Sequence, residues 1–88
     1  MKEIRILLNE TNFTNLCKSG YFTYRSPQYG SIDIRLTKPD MKVITTGDIL
    51  TKDVGGEIFQ IALQDIGLEL IREIIKRSPV YSDMYYEI

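Results

Sequence analysis

Ile4, Ile6 and Leu8 alternate with Arg5 and Leu7 at the start of the chain. That period of two predicts a short, mostly buried first strand. Asn9 to Asn12 is a run of capping residues, and Phe13, Leu16 and Cys17 follow at i, i+3 and i+4. With Lys18 in the last turn and Gly20 placed to follow it, this spacing predicts a helix over 11–18. Tyr21 to Arg25 is the run of highest β-propensity, aromatic and β-branched. Ser26-Pro27-Gln28-Tyr29-Gly30 is a turn, after which Ile32, Ile34 and Leu36 alternate with polar residues. The two runs predict a β-hairpin. Lys38-Pro39-Asp40 reads as a further turn, and Met41, Val43 and Thr45 as a fourth strand ended by Thr46-Gly47-Asp48.

The longest predicted element is a C-terminal helix over 55–77. Asp53 and Glu57 near its start and Lys76 and Arg77 at its end suit the macrodipole, and Pro79 stops it. Its main apolar stripe is Phe59, Ala62, Leu63, Ile66, Leu70 and Ile74, expected to lie on the sheet. Residues 79–88 form an aromatic, acidic tail, either a short strand or a helical turn. These elements define an α+β fold in β-α-β-β-β-α order. It has a mainly antiparallel sheet of three to four strands, with a short N-terminal helix and the long C-terminal helix on one face.

Eighty-eight residues make a single domain, 1–88, with a thin core. Of these, 43% are hydrophobic and 26% charged, which is globular rather than disordered composition. No apolar run approaches the roughly 20 residues that span a bilayer, so no membrane association is expected. The start, Met1-Lys2-Glu3-Ile4-Arg5, has no secretory pattern. Cys17 is the single cysteine, which excludes an internal disulfide and favours a cytoplasmic location. The formal net charge of −1 argues against a general nucleic-acid binder. The charge is unevenly spread, with a basic excess over 18–52 and only acids over 53–71.

Catalytic chemistry is hard to find. There is no histidine, so the usual general base and nitrogen metal ligand are missing. Cys17 has no histidine partner and falls on the apolar side of its helix, as a structural thiol does. Asp33, Asp40, Asp48 and Asp53 match no calcium loop and sit mostly in turns. Gly55-Gly56 beside Lys52 follows neither nucleotide-loop spacing, and Asp53 and Glu57 would repel a phosphate. The expectation is a non-enzyme without cofactor or metal.

Three features stand out as contact surfaces. Ile61, Leu68 and Ile75, flanked by Ile58 and Ile71, form a second stripe opposite the main one. A helix lying on a sheet needs only one apolar side, so this stripe is a candidate partner or homodimer interface. The tail, with Tyr81, Asp83, Tyr85, Tyr86 and Glu87, is a candidate hook for a basic partner. In the third, Tyr21, Tyr24, Arg25, Arg35 and Lys42 interleave rings and bases as nucleic-acid-binding sheets do. The favoured class is a small protein-binding module, an inhibitor or adaptor that contacts another protein or itself. A phage or mobile-element inhibitor of a host defence complex, such as an anti-CRISPR, is one special case. Nucleic-acid binding through the hairpin is the alternative.

Overall fold

A computed structural model describes residues 3–88. The expectation that the start carries no secretory leader falls partly on Met1 and Lys2, outside the described residues. Strand β1 (Glu3–Leu8) leads into helix α1 (Glu10–Ser19). Asn9 caps that helix by accepting from the Asn12 backbone N–H at 2.9 Å, and Gly20 ends it in the left-handed conformation at φ 86°. The hairpin β2 (Tyr21–Ser26) and β3 (Gly30–Arg35) stands as a separate two-stranded antiparallel sheet. Helix α2 (Lys38–Thr45), strands β4 (Leu50–Val54) and β5 (Glu57–Leu63), helix α3 (Leu68–Lys76) and a 3₁₀ helix (Ser82–Glu87) complete the chain.

The fold is α+β, but two predicted elements are corrected. Residues 41–45 are helical rather than a fourth strand. Thr37 accepts from the Asp40 N–H, and Asp40 Oδ2 accepts from the Thr37 N–H at 2.9 Å, a reciprocal capping box with Pro39 in the first turn. The helix buries Met41, Ile44 and Thr45, spaced i, i+3 and i+4. Nor is 55–77 one helix. Gly55 and Gly56 adopt φ 62° and 85°, both positive, and close a two-residue hairpin in which Val54 pairs with Glu57. Asp53 Oδ1 accepts from the Gly56 N–H at 3.1 Å and secures that turn. Only residues 68–76 of the stretch are helical. The element order is therefore β-α-β-β-α-β-β-α with a terminal 3₁₀ helix.

The main sheet has the order β1-β5-β4. β5 runs parallel to β1, from Glu3 opposite Ile58 to Leu8 opposite Leu63, and antiparallel to β4. The sheet is thus mixed, not mainly antiparallel. Alternation gives it one inner face. Leu8, Leu50, Phe59 and Ile61 are buried in one cluster with Phe13, Leu16 and Cys17 of α1, Met41 and Ile44 of α2, and Ile71 and Ile75 of α3. The hairpin joins this layer through Ile34, and Tyr24 meets Phe59 edge to face at 5.4 Å.

Lys52 ties the layers together. Its Nζ donates to the Arg35 carbonyl and to Asp40 Oδ2, both at 2.6 Å, so β4, the end of β3 and the start of α2 share one cation. Burial alone would raise the Asp40 pKa. The Lys52 ammonium and the Thr37 backbone and hydroxyl donors outweigh burial and hold it below the ordinary carboxylate value. A carboxylate depressed in this way stabilises the fold above the unfolded-state pKa of about 4, and that contribution is lost as pH falls through the lower folded value. Asp40→Asn is expected to destabilise by about 1–2 kcal/mol at pH 7. The gap from wild type should narrow below pH 4 in a series of urea denaturations; a gap independent of pH would dissociate Asp40 from Lys52.

Candidate functional site

The predicted second stripe does not form one surface. Ile61 is on β5 and fully buried, and Ile71 and Ile75 face inward from α3. Leu68 alone among the four is exposed, at 55%, on the rim of an open groove of about 1000 Å³ bordered by Ile66, Ile88 and the end of α2. The two stripes exchange roles on α3. The side that faces the core carries Ile71 and Ile75, while Leu70 of the supposed core stripe is 37% exposed and Ile74 is half-buried.

The tail packs rather than dangles. Tyr81 is buried and its hydroxyl donates to the Leu36 carbonyl at 2.5 Å and the Gly20 carbonyl at 3.2 Å. Burial pushes its phenol up to about 12. Ser78 Oγ accepts from the Val80 and Tyr81 N–H groups and donates to the Cys17 carbonyl, bolting the chain after α3 onto the end of α1. The acids of the supposed hook are engaged within the chain. Asp83 pairs with Lys38, and Glu87 with Lys42 at 3.0 Å. The Lys38 ammonium holds the exposed Asp83 carboxyl below its ordinary value. Lys76 lies over the Tyr85 ring at 5.7 Å, which leaves Tyr86, 90% exposed, as the outward-facing aromatic of this set.

The hairpin set divides as well. Tyr21, Arg25 and Arg35 share its outer face, where Arg35 covers the Tyr21 ring at 5.3 Å. Asp33 sits among them, accepting from Thr23 Oγ1 at 2.8 Å. Tyr24 points the other way, onto Phe59, and Lys42 lies on α2 beside Glu87.

Two surfaces were missed by the sequence reading. The first is the outer face of the three-stranded sheet, which no helix among the described residues covers. Glu3, Arg5, Leu7, Thr51 and Asp53 are all exposed on the flanking strands. Arg5 Nε donates to Gln60 Oε1 at 3.3 Å, and Gln60 Nε2 donates to Glu3 Oε2 at 3.1 Å. One end of this face is apolar. Leu7 is opposite Ala62, and the β4–β5 register continued by one residue sets Ile49 on the other side of Ala62. Leu7 and Ile49 are 56% and 63% exposed. The signal in the sequence is Leu7 itself, an apolar residue out of phase with Ile4, Ile6 and Leu8. The second surface is a groove of about 500 Å³ between α1 and α3. Thr14, Cys17 and Lys18 line it from α1, and Leu70, Glu73, Ile74 and Arg77 from α3 and its C-terminal end, where Glu73 and Arg77 pair at 3.7 Å.

No family model matches the chain, and no curated protein and no solved structure matches it. Its chemistry must be judged from its own groups. Burial raises the Cys17 thiol to about 12, so it carries no thiolate at neutral pH. Asp33, Asp40, Asp48 and Asp53 each accept from a neighbouring hydroxyl, ammonium or backbone N–H. Among the described residues no three His, Cys, Asp or Glu side chains are grouped to hold a metal ion, and no helix is long and apolar enough to cross a membrane.

These placements make the two α3 faces separable. Ile71→Asp buries a lone charge and is expected to unfold the protein or cost at least about 3 kcal/mol. Leu68→Asp, at an exposed site, should stay within about 0.5–1 kcal/mol of wild type. Thermal unfolding by circular dichroism checks both, and equal losses would contradict the assignment of faces.

Proposed function

We propose that this protein is a binding module that acts through protein–protein contacts, as an inhibitor or adaptor rather than as an enzyme. The observation that carries the reading is the uncovered outer face of the sheet with its row Leu7, Ala62 and Ile49. A sheet with one face on the core ordinarily presents polar residues on the other. Here two large aliphatic side chains flank an alanine at one end of that face. Exposed contiguous apolar surface marks interaction sites. Beside the row, Arg5, Glu3 and Asp53 supply the polar rim from which such interfaces draw specificity.

The occupant that fits is a partner protein with a small apolar ridge and charged groups at its edge. The buried, protonated Cys17 and the locally engaged aspartates support the non-enzymatic part of the reading. A phage- or mobile-element-encoded inhibitor of a host defence complex, such as an anti-CRISPR, acting in the cytoplasm, is the special case that a small chain of this chemistry suits. The test is phage plating on cells that carry individual defence systems and express the protein. Wild type should relieve one of them. Leu7→Asp with Ile49→Asp should lose that effect and at least about tenfold in affinity for the purified target, with thermal stability unchanged. Undiminished inhibition by the folded double variant would remove the sheet face from the reading. Relief of no defence system would overturn the inhibitor case.

A second reading, nucleic-acid binding, draws on Tyr21, Arg25 and Arg35 sharing the outer face of the hairpin. It requires fluorescence anisotropy with single-stranded oligonucleotides to show salt-dependent binding that Arg25→Glu with Arg35→Glu abolishes. Binding unchanged by that pair, or none at low salt, ends it.

A further inference from the structure

The groove between α1 and α3 carries an inference beyond the sheet-face reading, on a different surface. Glu10, Thr14 and Lys18 are spaced four apart and so lie in one line along α1, acid, neutral and base in that order. Glu10 and Lys18 are exposed, and among the described residues neither is in an ion pair within the chain. Alongside on α3 lie Leu70, 37% exposed, and Ile74, half-buried against the core that Ile71 and Ile75 fill. The two helices are joined at their C-terminal ends where Ser78 Oγ donates to the Cys17 carbonyl. They therefore present one two-walled groove, with Glu10 and Lys18 on the α1 wall and Leu70, Ile74 and the Glu73–Arg77 ion pair on the α3 wall.

The charge order is self-complementary. A two-fold axis through Thr14 reverses the helix direction, sets Glu10 against Lys18 of a second copy and repeats that pair on the other side. The two charges are eight residues apart, about 12 Å along the helix axis, so both pairs close over one shared apolar strip. The Leu70 and Ile74 stripes of the two copies then cover each other, which is the isologous arrangement a symmetric dimer needs. We propose that this protein forms a two-fold dimer through α1 and α3, with Glu10 and Lys18 as reciprocal cross-pairs and Leu70 and Ile74 as the buried strip. The sheet faces then point away from the shared helices, and one dimer offers two copies of the partner surface.

Sedimentation equilibrium and light scattering over a concentration series test the dimer directly. Wild type should associate. Glu10→Lys and Lys18→Glu, each turning two attractive pairs into repulsive ones, should each raise the dimer dissociation constant about tenfold or more. Glu10→Lys combined with Lys18→Glu in one chain should bring it back to within a few-fold of wild type. Leu70→Asp should give a folded monomer. Far-UV circular dichroism of every variant separates lost association from lost fold. A monomeric wild type up to about millimolar concentration, a dimer indifferent to the single charge reversals, or a charge-swapped chain that does not recover would each overturn the proposal. A dimer broken by Leu7→Asp with Ile49→Asp but not by Leu70→Asp would place it on the sheet face and overturn it equally. None of these readouts depends on the identity of the partner.

Discussion

The parallel pairing of β1 with β5 is the constraint on which the rest of the molecule depends. It joins residues 3–8 to 58–63, so nearly the whole intervening chain must leave and return before the ladder closes. A parallel connection cannot be a tight turn. Here α1, the β2–β3 hairpin, α2 and β4 make up the excursion; β4 joins the sheet, and the others are gathered on one face of it. That gathering produces both the buried layer under Phe59 and Ile61 and the bare layer over Leu7 and Ala62. The core and the candidate contact face are two consequences of one topology.

Small domains bury too little apolar surface for a wide stability margin, and this one adds polar ties at the joints between its pieces. Lys52 links β4 to the ends of β3 and α2. Ser78 and Tyr81 link the chain after α3 to the end of α1 and to the turns at Gly20 and Leu36. Both ties satisfy backbone carbonyls at the ends of elements, where buried groups otherwise go unpaired. The tail is part of this arrangement. Its acids meet the α2 lysines, and its buried Tyr81 and Met84 finish the core. Tyr81 and Met84 of the tail thus lie in the core, while Tyr86 stays exposed.

With Ile61, Ile71 and Ile75 interior, exposed apolar side chains remain at Leu7 and Ile49 on the sheet, at Leu70 between α1 and α3, and at Leu68 on the groove bordered by Ile66 and Ile88. The Cys17 thiol is buried, and Asp33 and Asp53 are occupied by local hydrogen bonds.

Legible from the residues alone were the α+β class, the first strand, α1 between its Asn9–Asn12 capping cluster and Gly20, and the β2–β3 hairpin. In each of these the periodicity and the capping or turn residues agree, so local chemistry suffices. The sequence alone did not determine α2 or the second hairpin, although local signals were present in the Thr37–Asp40 capping box and in Gly55-Gly56. Met41, Val43 and Thr45 fit a strand, while Met41, Ile44 and Thr45 fit a helix. The segment Glu57 to Leu63 likewise satisfies both periods. Apolar residues so dense carry no preference of their own, and the partner surface decides: β1 and β4 offer open ladders, and β5 completes them. The same tertiary choice set which side of α3 is core and left Leu7, Ile49 and Leu70 exposed. Whether an apolar side chain is core or contact depends on what packs against it, and a single chain's pattern does not encode that.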